Sequence, residues 1–430
     1  DGTDKFFPGN KYALFPSVSG AWKISNENFL KNISWINLLK LRASWGKTGQ
    51  DNLGSSLYGS YAPNNFKVNF SDNGIINIPY VSMGANYPDV SWQKTTMKNI
   101  GLDFYLLSDR ISGSFDFFRN DITRLLGYAS TSPLAIYETR PINGGHYYRR
   151  GWELMVDTKN LVGEFTWDTS LTFSKTNSFW KERLPNYDYQ IYQQRENEPM
   201  SAYYYYNVTG IINTDRSNMP ESQKTLQAEA QLPGCPIIED KNKDGKIDEN
   251  DVYMKDNSPA IYVGIGNTFT YKRFEFSFFM YGQFGIQKYN IAYSAAQAGP
   301  LAVDYPENSN KFAYRLWNSQ TNPNGSRPGL AIGKMGALPG NAWVNADREN
   351  ASFMRMRNIT LAYNLAGNIL GSLQRYVRNI KVYVDAQNPF ILTKFQGFDP
   401  EIYTGGGGAS GGSRGEYPQT RTFSLGVNIT

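Results

Sequence analysis

One segment has residue types and spacing that suit a defined chemistry: Asp240-Lys241-Asn242-Lys243-Asp244-Gly245-Lys246-Ile247-Asp248-Glu249-Asn250-Asp251. Hard divalent cations take oxygen ligands. A loop with oxygens at alternating positions, a closing carboxylate and a central glycine wraps one of them. The ligands here would be Asp240, Asn242, Asp244, the Lys246 carbonyl, Asp248 (through water) and Asp251, with Gly245 at the sharp turn. The expected ion is calcium. Asp251 is shorter than the Glu usual at the closing position, so the expected affinity is that of extracellular modules, about 10⁻⁴–10⁻³ M. Pro236 and Pro259 bracket the loop and leave no convincing flanking helices. The competing reading is a solvated acidic turn offset by Lys241, Lys243 and Lys246.

The other candidates carry less. Gly405 to Gly408 with Gly411-Gly412 lacks the Lys-Ser/Thr of a phosphate loop and reads as a flexible tip. His146 has no Ser or Cys partner in a recognisable setting and reads as a surface histidine. Cys235, beside Pro233-Gly234, reads as a free loop thiol. Asn207 heads an Asn-X-Thr site that matters only in a eukaryotic secretory setting. The run Tyr203-Tyr204-Tyr205-Tyr206 suits stacking on sugars, or an aromatic patch in a loop or on an inner wall. No catalytic residue is assigned, and the expectation is a protein that is not an enzyme.

The chain that must position these residues has 430 residues, 40 Gly, 30 Tyr, 25 Phe and 9 Trp, a balance that favours β structure. One Cys precludes an internal disulfide, and one His leaves little for zinc or a His-based triad. A net charge of +5 is too small and scattered for nucleic acid. Mean hydropathy is −0.51 and no apolar run approaches ~18 residues, which excludes a helical membrane protein but not a membrane β-barrel. Asp1-Gly2-Thr3-Asp4 is polar, not a signal peptide, so the expectation is a processed chain or a fragment.

Period-two alternation dominates. Phe165, Trp167, Leu171 and Phe173 share one face, with Asp168, Ser170 and Thr172 on the other; Phe274, Phe276, Phe278 and Met280 likewise oppose Glu275 and Ser277. Eleven strands are expected, near 12–24, 38–48, 92–105, 110–122, 147–158, 164–176, 260–271, 273–285, 352–364, 378–388 and 418–430. Short connections (25–37, 106–109, 159–163, 272, 365–377) alternate with long ones (49–91, 123–146, 177–259, 287–351, 389–417). Transmembrane barrels show that alternation, with short periplasmic turns and long external loops. The oily faces are expected to meet lipid, with Asp168 and Glu275 inward. An antiparallel barrel closes with an even number of strands, so eleven read as half of a 22-stranded one.

Ordered blocks along the chain resemble the SusC/RagA-type TonB-linked outer-membrane transporters of Bacteroidetes. They are Phe15-Pro16-Ser17-Val18-Ser19, Leu39-Lys40-Leu41-Arg42-Ala43-Ser44-Trp45-Gly46, Asn99-Ile100-Gly101-Leu102-Asp103 and Arg150-Gly151-Trp152-Glu153. Later come Phe353-Met354-Arg355-Met356-Arg357-Asn358, Ala386-Gln387-Asn388, Gly397-Phe398-Asp399-Pro400-Glu401 and Tyr417-Pro418-Gln419-Thr420-Arg421-Thr422-Phe423. The resemblance implies that 1–430 is the C-terminal part of an all-β outer-membrane barrel, without the family's plug and N-terminal regions. A terminal aromatic residue is expected just beyond Thr430. It further implies import of glycan or peptide across the outer membrane of a Gram-negative bacterium, driven through TonB. The implied partners are the N-terminal half of the barrel with its plug, a SusD-like surface lipoprotein, the TonB complex and outer-membrane lipid. A passive porin-like barrel and a soluble carbohydrate-binding β-protein are the alternatives.

Overall fold

The computed structural model describes residues 1–53, 57–58, 86–131, 139–185, 189–193, 196–290, 313–329, 338–346, 348–365, 379–397, 399–401 and 419–429, with short stretches between them. Eleven strands form one antiparallel meander: β1 (Ser17–Lys23), β2 (Ile36–Gln50), β3 (Gln93–Leu106), β4 (Ile111–Ser130), β5 (Thr139–Leu161), β6 (Phe165–Glu182), β7 (Ile261–Tyr271), β8 (Phe274–Phe284), β9 (Phe353–Leu365), β10 (Ile380–Gln387) and β11 (Thr422–Ile429). Each pairs with its sequence neighbour, and a short strand, Ile391–Thr393, adds to the upper end of β9. No described helix is long and apolar enough to cross a membrane.

All eleven expected strands are present in the expected order, with shifted ends. β1 begins at Ser17, because the residues before it turn inward: Phe15 packs edge-on to Trp92 with centroids 5.5 Å apart, beside Phe6 and Leu53. The connection expected over 123–146 is mostly strand. After an irregularity at Arg124, whose φ is +54°, β4 and β5 pair again from Leu125↔Gly144 to Ser130↔Thr139. Alternation breaks there, so the sequence pattern stops before the hydrogen-bonding ladder does. The turn after β3 is tight, with Leu107, Ser108 and Asp109 all near φ +55 to +59° and Asn37 Oδ1 accepting from Ser108 N–H at 2.9 Å.

Register turns the alternation into two faces. One continuous row reads Trp167, Phe269, Phe276, Leu361, Val384 and Leu425 across β6 to β11. The next row reads Asp168, Thr268, Ser277, Thr360, Asp385 and Ser424. On the other side of β6, Leu41, Leu102, Phe115, Leu154 and Phe173 share the apolar face. Successive side chains in a strand point to opposite faces, so each row fixes its neighbours. Nearest the short turns, Phe165, Tyr271, Phe274 and Tyr363 form an aromatic row, the girdle expected at a membrane interface.

Burial concentrates away from the sheet. One cluster gathers Phe6, Leu53, Leu57, Val90 and Trp92. A larger one joins Tyr192, Tyr206, Ile212, Cys235, Ile238 and Val252 to Met335, Leu338 and Ala342. The loops at the long-connection end thus have their own core.

Candidate functional site

The polar face of the sheet carries ionic cross-ties between strands. Arg42 on β2 donates through Nε to Asp103 on β3 at 2.9 and 3.0 Å and through a terminal nitrogen to Asp116 on β4 at 2.9 Å. Gly101 stands directly opposite Arg42. A Cβ there would lie 2.3 Å from an Asp116 oxygen and 2.7 Å from the guanidinium, so the missing side chain is what admits the bridge. Further along the same face Lys381 meets Glu275 at 2.9 Å, and Thr360 donates to Asp385 at 2.6 Å. A groove beside the short turns is lined by Asp157, Lys159, Asp168, Ser170, Thr268 and Ser277. Asp168 and Glu275 therefore sit with the polar set, as the alternation requires.

Near the top of β9 the buried guanidinium of Arg355 is a second hub. It holds Asp399 with bonds of 2.7 and 2.8 Å and also donates to Glu401, which accepts from Tyr281 Oη on β8. Asn388, at φ +50°, accepts from Arg357 at 3.0 Å and donates to the Thr420 carbonyl at 3.1 Å. Sequence blocks far apart in the chain thus meet as partners: Leu39–Gly46 with Asn99–Asp103, and Phe353–Asn358 with Asp399–Glu401. Sequence reading found the blocks and missed the pairing. For Arg42 the available signal was a charge on the polar parity of an alternating strand; Arg355 has the same parity as the outward Leu361 and turns inward only through the register shift opposite Phe279 and Met280.

The loop assembly positions the remaining candidates. Strand Ala202–Tyr206 pairs antiparallel with Tyr253–Asp256 and parallel with Trp343–Val344. The tyrosine run is consumed by this packing. Tyr206 is fully buried and donates to the carbonyls of Asp248 and Pro339 at 2.9 and 3.0 Å, and burial pushes its phenol well above the ordinary range. Tyr204 donates to the buried Glu198, and Tyr203 lies 3.7 Å beneath the Arg348 guanidinium and donates to Gln287. Among the four, the described geometry is that of a scaffold. Asn207 holds Glu239 at 2.6 Å and accepts from Asn345 at 2.8 Å. Cys235 is a free thiol but not an accessible one; it is wholly buried, and burial pushes it up to about 11. His146 is half-buried, not a surface residue, with Nε2 3.6 Å from Asp121. Gly405–Gly412, Phe398 and Tyr417-Pro418 lie outside the described residues.

The acidic loop is anchored to the same core by Ile247 and Val252. Its carboxylates are taken by backbone amides. Asp240 accepts from Asp244 and Gly245 at 3.2 and 2.9 Å, and Asp244 from Lys246 at 3.0 Å. Asp248 accepts from Asn250 at 2.8 Å, and the fully buried Asp251 from Lys241 and Asp248 at 2.9 and 2.8 Å. Gly245 has φ +85°, the left-handed conformation that position requires. Lys241 points away from this set, over the Tyr253 ring at 4.7 Å. Among the described residues no three His, Cys, Asp or Glu side chains are gathered closely enough to hold a metal ion.

A sheet with an aromatic-edged apolar face and a cross-tied polar face belongs in a bilayer: the fold is that of a transmembrane β-barrel wall of the outer-membrane kind. Residues 1–197 match the family described as TonB dependent receptor-like, beta-barrel. The whole chain is 29% identical to TonB-dependent receptor SusC of Bacteroides thetaiotaomicron and 27% identical to TonB-dependent receptor P3 of Formosa agariphila, covering 41% and 43% of those proteins. It thus spans less than half the length of the curated relatives it matches. The RagAB peptide importer in its closed-closed state shares the fold with a TM-score of 0.76 at 20% identity, over 100% of this chain and 44% of that one. Over residues 1–197 the chain thus matches the barrel of TonB-dependent receptors, and along its full length it is similar to SusC.

Proposed function

We propose that this chain is the C-terminal part of the barrel in a SusC-like importer, moving glycan or peptide substrates across the outer membrane of a Gram-negative bacterium. The observation that carries the reading is alignment with SusC over 100% of the chain, on a sheet with one apolar and one polar face. The N-terminal strands and plug would complete the wall and fill the lumen, TonB would supply energy through that plug, and a SusD-like lipoprotein would sit over the loops. The polar cross-ties then act as a rigid inner wall on which the plug slides or rearranges. The test is uptake of labelled oligosaccharides and peptides by cells carrying the intact receptor, with and without functional TonB and with and without the neighbouring lipoprotein. Uptake of one class that needs TonB supports the reading. Uptake indifferent to TonB identifies a passive pore, and recovery of the intact protein in the soluble fraction rejects the membrane assignment.

The Asp240–Asp251 loop is proposed to take calcium outside the cell, acting structurally on the loop core. Support comes from the ligand register and the left-handed Gly245. Binding would exchange the amide contacts of Asp240 and Asp244 for metal. Calcium should slow protease cleavage of this loop, chelator should restore it, and Asp240→Asn with Asp244→Asn should remove the difference. Cleavage indifferent to calcium in the parent leaves an acidic turn.

A further inference from the structure

The apolar outward face ends abruptly at a row of cations. Counting up from the short turns, the row Ala43, Ile100, Phe117 and Trp152 is still apolar, with Lys175 at its end. The next row reads Trp45, Lys98, Arg119, Arg150 and Asn177, directly opposite one another across five strands. The row above holds Lys47, Thr96, Asp121, Tyr148 and Phe179. Residues directly opposite in antiparallel strands have Cβ atoms about 4.5–5.5 Å apart, and like charges so placed repel. Three such charges stand in line here.

Their own protein relieves only part of that repulsion. In these two rows the one carboxylate is Asp121, which pairs with Arg119 at 3.0 Å. Among the described residues neither Lys98 nor Arg150 has a carboxylate within ion-pair distance, and both are exposed. The heads are backed by aromatic faces. Arg119 lies 4.5 Å over Tyr148, Arg150 lies 5.3 Å over Phe179, and Lys47 lies 5.7 Å over Trp45. A ring under a guanidinium fixes its plane; the N–H edge of Arg150 faces an anion freely, whereas Nε and one terminal nitrogen of Arg119 already donate to Asp121 and leave its other terminal nitrogen. The rows of Leu39 and Leu41 carry no charge and the Ala43 row carries only Lys175 at its end, so the belt marks where hydrocarbon stops.

We propose that the Lys98–Arg119–Arg150 belt, flanked by Lys47 and Lys175, docks the phosphate groups of lipopolysaccharide in the outer leaflet. This rests on the outer-membrane importer reading, because that reading puts the long-loop end outside the cell. Position and sign both fit. The belt continues the lipid-facing band upward on the external side, at the depth of outer-leaflet headgroups, where phosphorylated lipid A presents multivalent anion. Arg150 supplies a planar fork that matches phosphate oxygens in pairs, the outer nitrogen of Arg119 adds a single donor, and Lys98 and Lys175 add point charges on stems long enough to reach them.

The test uses the intact receptor purified in dodecyl maltoside, with bound lipid counted by native mass spectrometry. The probes are lipid A, the same lipid A after enzymatic removal of its phosphates, and phosphatidylglycerol. The parent should retain lipid A and lose it on dephosphorylation. The variant Lys98→Gln/Arg119→Gln/Arg150→Gln should bind on the order of 100-fold more weakly, from a contribution of about one kcal/mol per surface cation. Lys272→Gln/Arg273→Gln, at the opposite rim, should bind like the parent. Heat-modifiable migration in electrophoresis confirms that each variant is a folded barrel. Equal retention of dephosphorylated lipid A, equal displacement by phosphatidylglycerol, or an unchanged triple variant overturns the proposal. A receptor that fails to insert in membranes at all would instead reject the importer reading.

Discussion

At the scale of single residues, the barrel wall is organised by charges whose neighbours are removed or supplied to suit them. Arg355 is the clearest case. Its guanidinium and the Asp399 carboxylate are 4% and 5% exposed, so neither has water to fall back on. Removing one member of a buried pair strands the other, at about 3–5 kcal/mol, whereas replacing all members by apolar groups is far milder. Arg355→Met should therefore lower the thermal midpoint of the intact receptor in detergent sharply, and Arg355→Met with Asp399→Leu and Glu401→Leu should recover part of the loss. Equal midpoints for the single variant and the parent would show that the cluster contributes nothing. The sequence displayed Arg355, Asp399 and Glu401 inside its recurring blocks. It did not display their contact, because 44 residues of chain separate the hub from Asp399 and no spacing rule spans that distance.

At the scale of elements, the eleven strands were legible and their ends were not. Alternation reports a side chain's face wherever the two faces meet different surroundings, which holds across the membrane-facing span of β2 to β11. Beyond that span both faces meet water or loops, and the pattern loses its cause. This is why β4 and β5 continue unseen to Ser130 and Thr139, and why β6 extends to Glu182. The same logic predicts an asymmetry between adjacent positions of β9. Leu361 lies in the outward row with Phe276 and Val384, and Thr360 lies inward beside Asp385. Leu361→Arg places a charge against hydrocarbon and should destabilise the barrel by about 2–4 kcal/mol. Thr360→Arg places it beside a carboxylate and should cost little. Urea titration of the receptor refolded into lipid vesicles measures both. Equal losses, or a larger loss for Thr360→Arg, would reverse the facing assigned to the whole sheet.

At the scale of the molecule, two hydrophobic arrangements coexist: a sheet that is oily toward lipid, and a loop body with a water-excluding core of its own. The second was illegible in sequence. Its core draws on Tyr192, Tyr206, Cys235, Ile238 and Val252 from one long connection and Met335, Leu338 and Ala342 from another, with no shared period to announce them. Gln223, fully buried, ties the body internally by donating to Ala230 and Pro236 carbonyls at 3.0 and 3.2 Å and accepting from Ile238 at 3.0 Å. Because among the described residues this core shares no side chain with the apolar rows of the sheet, the loop body should loosen without the barrel. Cys235 reports on that event. Burial raises its thiol from an ordinary 9.0 to about 11. The folded loop body thus holds the neutral form, and the stability this represents is complete below pH 9 and is lost as pH rises through about 11. At pH 8 the parent thiol should react with a disulfide reagent far more slowly than an exposed one. Ile238→Ala, which removes about 2–5 kcal/mol of core packing, should accelerate that reaction at least tenfold and should open the loops to protease. Heat-modifiable migration of the barrel should stay at the parental temperature. If the barrel transition falls together with thiol protection, the loop body and the wall unfold as one unit, and the external assembly is an extension of the sheet, not a platform seated on it.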